Sequence, residues 1–414
     1  MKLGLRNTEL LLESLGQPQT SYESVQIAGT NGKGSTAAML ESICRAAGVM
    51  TGLYTSPHLI DITERIEIDG HAISPERFAR FAVEVRKAAK ALLDQRRIEA
   101  LPTFFEHLTA IAFLAFHAAD IELAILETGL GGRLDATTVA GANTVGITPV
   151  SLDHQEYLGE TIEEIAFEKA AIIRPGVTAI LAPQSPAVLE VILKRARECG
   201  VKAIVTGQVG ELTATSDGTL AVTFETNEDR YENVRLSLRG RHQAINACLA
   251  IQLAESLRAR GFAISKTAIV RGLESVGVAG RLASVSGILL DGAHNPAAAR
   301  VLRDYLDEFV KKPITLVFGA MSDKRLNEMA ALLFPAVHQL VLTRPDNPRA
   351  ASLERLQTLA QNFMPTAKIN LVPRVSDALK KAREITSPDG MICVTGSLYL
   401  VGEASAALRD SSRY

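Results

Sequence analysis

The residues with the clearest chemistry stand in Gly29-Thr-Asn-Gly-Lys-Gly-Ser35. An apolar run, Val25 to Ala28, precedes them as a buried strand, and a helical pattern follows from Ser35 to about Ala47. Glycines let backbone N–H groups close on an anion, and the helix start adds the positive end of its dipole. Lys33 supplies a point charge for β- and γ-phosphates, and the Ser35 or Thr36 hydroxyl is of the kind that holds Mg²⁺. The match to the general phosphate-loop pattern is imperfect, since its first glycine is missing and Gly34 stands where that pattern has a hydroxyl residue. A plain glycine turn is the competing explanation. The coincidence of strand, turn, lysine, hydroxyl and helix favours the phosphate cradle.

Other chemistry-bearing residues recur at strand ends. Glu127 closes the run Ile121–Leu126 and is followed by Gly129, Gly131, Gly132 and Arg133. A carboxylate there, beside a phosphate loop, is what a nucleotide-bound Mg²⁺ needs. Ser56 follows the short strand Thr51–Tyr54, and His154 follows Val145–Thr148, where open α/β sheets place ligands. Mg²⁺ prefers oxygen, so from its chemistry alone His154 is a general base or a structural residue. Lys169 lies in the apolar stretch Ala166–Ile173, where a solvent-facing or snorkelling side chain is the plain expectation. His242, Gln243 and Asn246 share one helical face, for which capping is the modest explanation. In Thr103-Phe-Phe-Glu106, one of the two phenylalanines belongs to a core, while the tetrapeptide also offers aromatic contact and polar anchors for a flat ring.

The elements that must position these groups read as alternating strands and helices. Helices are expected at Leu3–Leu15, from Ser74-Pro75 to about Leu93, from Thr103 to about Ala119, from a capping box at Thr161–Glu164, and from the Leu238–Asn246 segment to about Arg260. Glu64–Gly70 reads as a hairpin, and Glu211–Arg235 as a small β appendage. Later strands fall at Ile288–Leu290, Ile314–Phe318, Gln339–Thr343, Ile369–Val372 and Met391–Val394. The fold class is α/β, with a phosphate-loop type, mostly parallel first sheet and a smaller Rossmann-like second domain. At 414 residues the chain exceeds one ordinary core. The boundaries are drawn as 1–276 for the first domain, 277–284 for a hinge rich in small residues, and 285–414 for the second. Net charge is −2, which leaves no footprint for nucleic acid. No apolar run approaches the roughly 20 residues needed to cross a bilayer. Cys44, Cys199, Cys248 and Cys393 are scattered and read as small core residues in a reducing compartment. The start, Met1-Lys-Leu-Gly-Leu-Arg, does not read as a secretory signal, and the cytoplasm is the expected location.

Several segments together resemble the folylpolyglutamate synthase/dihydrofolate synthase family, in chain order and over nearly the whole length. They are Leu3-Gly-Leu5, Gly29–Ser35, Ser56-Pro-His58, Glu64-Arg-Ile66, Glu127-Thr-Gly-Leu-Gly-Gly-Arg-Leu-Asp135, Asp153-His154, Glu168-Lys-Ala170, His242-Gln-Ala-Ile-Asn246, Gly280-Arg281 and Asp291-Gly-Ala-His-Asn-Pro296. The resemblance implies an ATP- and Mg²⁺-dependent ligase that adds L-glutamate to dihydropteroate or a reduced folate. It implies ATP contacts at Gly29, Thr30, Asn31, Gly32, Lys33, Gly34, Ser35, Asn246, Arg281 and Asp291. Metal ligands follow as Ser35, Ser56, Glu127 and His154, in two magnesium sites. Leu3, Gly4, Leu5, Thr103, Phe104, Phe105, Glu106, Arg133 and Leu134 become the pterin wall. His294 faces the incoming glutamate, with Ser322, Lys324 and Ser397 lining the cleft. Lys33, Lys169, His294 and Arg281 carry catalysis, Lys169 as an N6-carboxylysine. The family is generally monomeric, with small-molecule partners and neither nucleic acid nor membrane. Two departures stand out: a helix usual before Leu3 is missing, and Ala279 replaces a hinge proline.

Rival functions lack their own residues. A nucleotide-sugar domain, as in peptidoglycan ligases, has no room before Gly29. A GTP switch needs Asp-x-x-Gly and Asn-Lys-x-Asp patterns, and neither matches. A serine hydrolase needs a G-x-S-x-G elbow, which is also missing. A non-catalytic nucleotide module sits poorly with intact Lys33, Glu127, His154 and Asp291. A related ligase acting on a different carboxylate remains the nearest alternative.

Overall fold

A computed structural model describes residues 4–207, 209–216, 218–310 and 313–411. Leu3 therefore lies outside the described residues. Eight strands build the first sheet: β1 (Glu23–Ala28), β2 (Thr51–Tyr54), β3 (Ile66–Ile68), β4 (His71–Ala72), β5 (Leu123–Glu127), β6 (Thr144–Ile147), β7 (Thr178–Leu181) and β8 (Ile204–Val205). Their order is β4-β3-β2-β5-β1-β6-β7-β8. All neighbours run parallel except β2–β3 and β3–β4. The chain moves from β1 to one side, through β2 and β5, and then crosses to β6 on the other side. The loop after β1 thus opens at a switch point, where such sheets bind ligands.

The apolar runs explain the layering. Strands buried on both faces read as continuous Val/Ile/Leu/Ala runs, and helices cover each face. One core lies between the sheet and helices Lys33–Ala46, His242–Ala259 and Lys266–Ser275. The opposite face is covered by Arg6–Ser14, Pro75–Asp94 and Phe104–His117. The appendage is a three-stranded antiparallel meander, β9 (Val209–Ala214), β10 (Leu220–Glu225) and β11 (Arg230–Leu236). Its inward residues Leu220, Val222, Phe224 and Tyr231 join the first of these cores.

The second sheet runs β12-β13-β17-β14-β15-β16, from β12 (Ala283–Val285), β13 (Ile288–Leu290), β14 (Ile314–Phe318), β15 (Gln339–Leu342), β16 (Ile369–Leu371) and β17 (Met391–Thr395). Only β12–β13 is antiparallel. Strand β17 returns between β13 and β14, so the loops after these three strands share one edge. Three sequence expectations shift. The helix after β1 begins at Lys33, two residues before Ser35, because Gly32 serves as its left-handed N-cap. The expected hairpin at Glu64 starts as a short 3-10 turn, Ile62–Arg65, because Asp61 and Glu64 form a capping box. Cys199 is only half-buried, whereas Cys44, Cys248 and Cys393 are core residues as expected.

Candidate active site

The loop after β1 is held by its neighbours. Gly29 and Gly32 have φ of +143° and +91°. A Cβ on Gly29 would overlap Thr148, and one on Gly32 would overlap the Asn246 amide. Thr30 Oγ1 donates to the Ser151 carbonyl at 2.9 Å and accepts from the Ser151 N–H at 3.0 Å. Lys33 Nζ donates to the Thr30 carbonyl at 3.2 Å and lies 3.9 Å from Glu127 Oε1. Lys169 is not at the surface. It is 5% exposed and its Nζ donates to the Gly29 carbonyl at 2.8 Å. The signal for this lay in helical spacing, since Lys169 stands three and four residues after Ala166 and Ile165 on the buried face of its helix. Burial, and next the Lys33 charge, lower its basicity to about 7. A neutral amine is therefore available near neutral pH.

Glu127, at the end of β5, is buried, and its Oε2 accepts from the Ser56 N–H at 3.1 Å. Burial raises its carboxyl, opposed chiefly by Lys33. Ser35 is buried and accepts a 3.5 Å contact from Gln243 Nε2. His154 takes a left-handed φ of +52°. Its ring is 42% exposed, yet crowding by the cleft walls lowers it to about 4, so it is neutral. Among the described residues no three His, Cys, Asp or Glu side chains cluster as a metal cage. Hydroxyls with one carboxylate suit Mg²⁺, which keeps waters and binds phosphate oxygens rather than filling an all-protein cage. The donor set therefore fits that ion.

The wall expected for a flat ring divides into structural and free parts. Thr103 and Glu106 form a reciprocal capping box, and Glu106 Oε1 also accepts from Thr8 Oγ1 at 3.1 Å. Phe105 packs on Tyr54, with centroids 5.9 Å apart, and against Gly129. Phe104 is 62% exposed, so Phe105 is the core member of the pair. Arg133 pairs with Glu168 at 2.9 Å. Gly4 is exposed; Leu5 and Leu134 are half-buried. Leu5, Arg133 and Phe167 help line a cavity of about 470 Å³.

Across the cleft, the loops after β13 and β14 meet the first sheet. Asn295 caps helix Pro296–Phe309, and its Nδ2 donates to Asn31 Oδ1 at 3.1 Å and Asp153 Oδ2 at 3.0 Å. Lys324 Nζ lies 2.9 Å from Asp153 Oδ1, and His294 Nε2 lies 3.6 Å from Asp153 Oδ2. Burial works against the Asp153 anion. The His294 contact, the neighbouring His154 ring and the Lys324 ammonium overcome it and hold the carboxyl well below its usual range. Asp153 was legible only as the partner of His154 in an Asp-His pair, and Asn295 only as part of a longer signature. Their meeting needs the two sheets in place.

Other expected residues prove to be organisers. Asp291 accepts from the Leu282 and Ala293 N–H groups at 3.1 and 3.0 Å, fixing the linker. Arg281 acts electrostatically on Glu127, His242 and Asp291 together. Ser397 is 2% exposed and accepts from the Leu400 N–H at 3.1 Å, so it caps the last helix instead of lining the cleft. Ser322 is exposed, its N–H bonded to the Arg349 carbonyl. Asn246 donates to Gln243 at 2.9 Å beside the phosphate loop.

The loop after β1 on one sheet and the loops after β13 and β14 on the other thus meet at one cleft. Residues 27–254 match the Mur ligase middle domain, and residues 278–398 match the Mur ligase glutamate ligase domain. A dihydrofolate synthase/folylpolyglutamate synthase of Bacillus subtilis is 35% identical, over 99% of this chain and 96% of that protein. The chain belongs to this dihydrofolate synthase/folylpolyglutamate synthase family. A probable bifunctional folylpolyglutamate synthase/dihydropteroate synthase of Haloferax volcanii is 37% identical over 98% of this chain. The chain spans about half of that relative, 48% of its length. The Mycobacterium tuberculosis folylpolyglutamate synthase complexed with ADP and AMPPCP superposes with a TM-score of 0.93 at 33% identity, covering 98% of this chain and 95% of that one.

Proposed function

We propose that the protein is an ATP-dependent amide ligase that adds L-glutamate to the carboxylate of dihydropteroate, of tetrahydrofolate, or of both. The observation that carries this reading is the contact of Asn31, in the phosphate loop, with Asn295, beside the glutamate-facing His294. A site for phosphoryl transfer and a site for an amine nucleophile thus share one cleft. The relatives' names and the nucleotide-bound M. tuberculosis structure support the same chemistry.

A carboxylate is a poor acyl donor. Its oxygen attacks the γ-phosphorus and ADP leaves, giving an acyl phosphate. The glutamate amine then attacks the acyl carbon, phosphate leaves, and the amine loses a proton. Gly29 to Ser35 hold the triphosphate, Lys33 balances its charge, and Arg281 approaches from the linker. His294 and Lys324 orient the glutamate. Ser35, Ser56, Glu127 and His154 would hold Mg²⁺, in two sites, and the ion supplies charge stabilisation on the phosphates. The lowered basicity and burial of Lys169 support its reaction with CO₂ to a carbamate. We assign residues 1–276 to the nucleotide and pterin domain, 277–284 to the hinge and 285–414 to the glutamate domain. The protein acts as a cytoplasmic monomer; among the described residues no helix is long and apolar enough to cross a membrane.

The test is phosphate release with ATP and Mg²⁺ across a substrate panel. The expected result is release that needs both glutamate and dihydropteroate or tetrahydrofolate. Release independent of either acceptor rejects the reading.

A further inference from the structure

Arg65 is only 8% exposed, and among the described residues it makes no ion pair. Buried charges are ordinarily paired, because an isolated one costs several kcal/mol to desolvate. Of the acids near it in sequence, Glu67 interacts with Glu41, Arg45, Glu64 and His71 instead, and Asp61 and Glu64 are committed elsewhere. Asp61 accepts from the Thr63 N–H and hydroxyl at 2.9 and 2.6 Å. Glu64 accepts from the Leu59, Ile60 and Asp61 N–H groups at 2.8, 3.2 and 3.0 Å. Arg65 Nε donates to His58 Nδ1 at 2.9 Å, a neutral partner. The Tyr54 hydroxyl is a second neutral neighbour. The carboxylate that reaches Arg65 electrostatically is Glu127, already engaged by Ser56 and Lys33.

Its position gives this spare charge a use. The guanidinium carbon lies 5.7 Å from the Phe104 ring centroid, and Phe104 is the exposed aromatic of the wall. The Arg65 carbonyl accepts from the Thr55 N–H at 3.0 Å, next to Ser56. Arg65 therefore stands between an aromatic platform and the residues facing the phosphates. Arg65 also acts on Glu127, which lies 3.9 Å from Lys33, so a carboxylate held by Arg65 on a planar acyl body over Phe104 is directed toward the phosphate loop. Arginine presents a fork whose two amino groups match a carboxylate.

We infer that Arg65 receives and orients the carboxylate that is to be activated, on an acyl substrate with a flat aromatic body. The inference rests on the ligase reading above. It makes Arg65 a substrate-binding residue, and it explains why a cation is buried here without an acid.

The experiment compares equilibrium binding of pteroate and of its primary carboxamide, each with ADP and Mg²⁺ present, so that no turnover intervenes. Wild type is expected to prefer the acid about ten- to a hundred-fold, the range of a charge-assisted pair. Arg65→Gln is expected to bring that ratio close to one, with amide affinity and ADP affinity each within about two- to threefold of wild type. Arg65→Lys keeps the charge but loses the fork, and should give an intermediate ratio; it also serves if the glutamine variant does not fold. A ratio that persists in Arg65→Gln overturns the inference. So does an equal fall in acid and amide affinity, which would make Arg65 only a stacking support. Wild type that binds neither ligand removes the ligase reading, and this inference with it. Wild type that binds both equally removes the inference alone.

Discussion

The two sheet edges that face each other across the cleft are finished in different ways. On the first, the polar groups are satisfied within the sheet's own loops: Thr30 by Ser151, Gly29 by Lys169, and Glu127 by Ser56. On the second, Asn295 and Lys324 find their partners on the opposite edge, in Asn31 and Asp153. The loop after β1 is thus held chiefly from its own domain, with Asn31 and Asp153 reaching across, whereas Asn295 and Lys324 are held from the opposite edge. A preformed anion cradle needs no reorganisation when phosphate arrives. Under the ligase reading proposed above, an amine site that draws on both lobes suits delivery of glutamate to an acid and ATP already covered.

The largest effect belongs to the preformed side. Lys33→Ala should lower turnover by about a thousandfold or more if the ligase reading holds, because in that reading Lys33 is the charge on the transferring phosphoryl group. Steady-state phosphate release measures this, and turnover within tenfold of wild type would show that the cradle works without its cation.

Asp153→Asn addresses the assembled side. Losing one partner of a buried, hydrogen-bonded charge pair costs about 2–5 kcal/mol. The expected result is a fall of at least about thirtyfold in kcat/KM for glutamate, with ADP affinity within about twofold of wild type. Equal losses for glutamate and nucleotide would mean that Asp153 supports the whole fold, and the contrast between the two edges would fail.

The same contrast governs what was legible in the sequence. Residues of the preformed edge are contiguous. Gly29 to Ser35 form one strand-turn-helix unit, and its conformational demands fall on Gly29 and Gly32, so composition reveals it. The alternation of strands and helices likewise follows from apolar periodicity and turn residues, and five of the six strands of the second sheet agree within about a residue at their ends; β12, Ala283–Val285, has no such signal and falls where the hinge is expected to end. Residues of the assembled edge are far apart in the chain, and nothing in their spacing links Asp153 to Lys324. For Lys169 the plain expectation of a solvent-facing side chain fails and the desolvated lysine of the resemblance fits: its helix carries Glu163, Glu164 and Glu168 outward, and Lys169 falls on the buried face with Ile165 and Ala166. Glu106 and Ser397, which the resemblance gives to substrate, are also of types that cap helices, and both make capping contacts in the structure.

Lys169 offers a smaller, pH-dependent effect on the preformed side. Its folded-state value, about 7, lies below its ordinary 10.5. Between those values the unfolded chain holds a proton that the folded protein has shed, so stability rises with pH through that window. Below about pH 7 both states are protonated, and the fold carries the full cost of a buried ammonium. One such proton contributes a slope of at most about 1.4 kcal/mol per pH unit. Denaturant midpoints in CO₂-free buffer, compared between wild type and Lys169→Met, should show the wild-type excess slope. Parallel curves would place the Lys169 amine in water rather than under Gly29.

The smallest effect is expected from a second contact between the lobes, which separates burial from geometry. Arg241 binds Glu308 with two parallel hydrogen bonds, Nε to Oε2 at 2.8 Å and Nη2 to Oε1 at 2.6 Å. By geometry this pair is better than Lys324 with Asp153, which has a single short contact. Its side chains are 56% and 35% exposed, however, against 11% and 8% for the cleft pair. Water and salt screen the outer pair, and each partner left alone would be solvated at little cost. Glu308→Gln should therefore change stability by less than about 1 kcal/mol and leave the KM for glutamate within about twofold. A loss as large as that of Asp153→Asn would mean that the lobes are held together by whichever contacts have good geometry. The result expected here assigns the coupling to the buried carboxylate, because only there does an unpaired partner have no solvent to turn to.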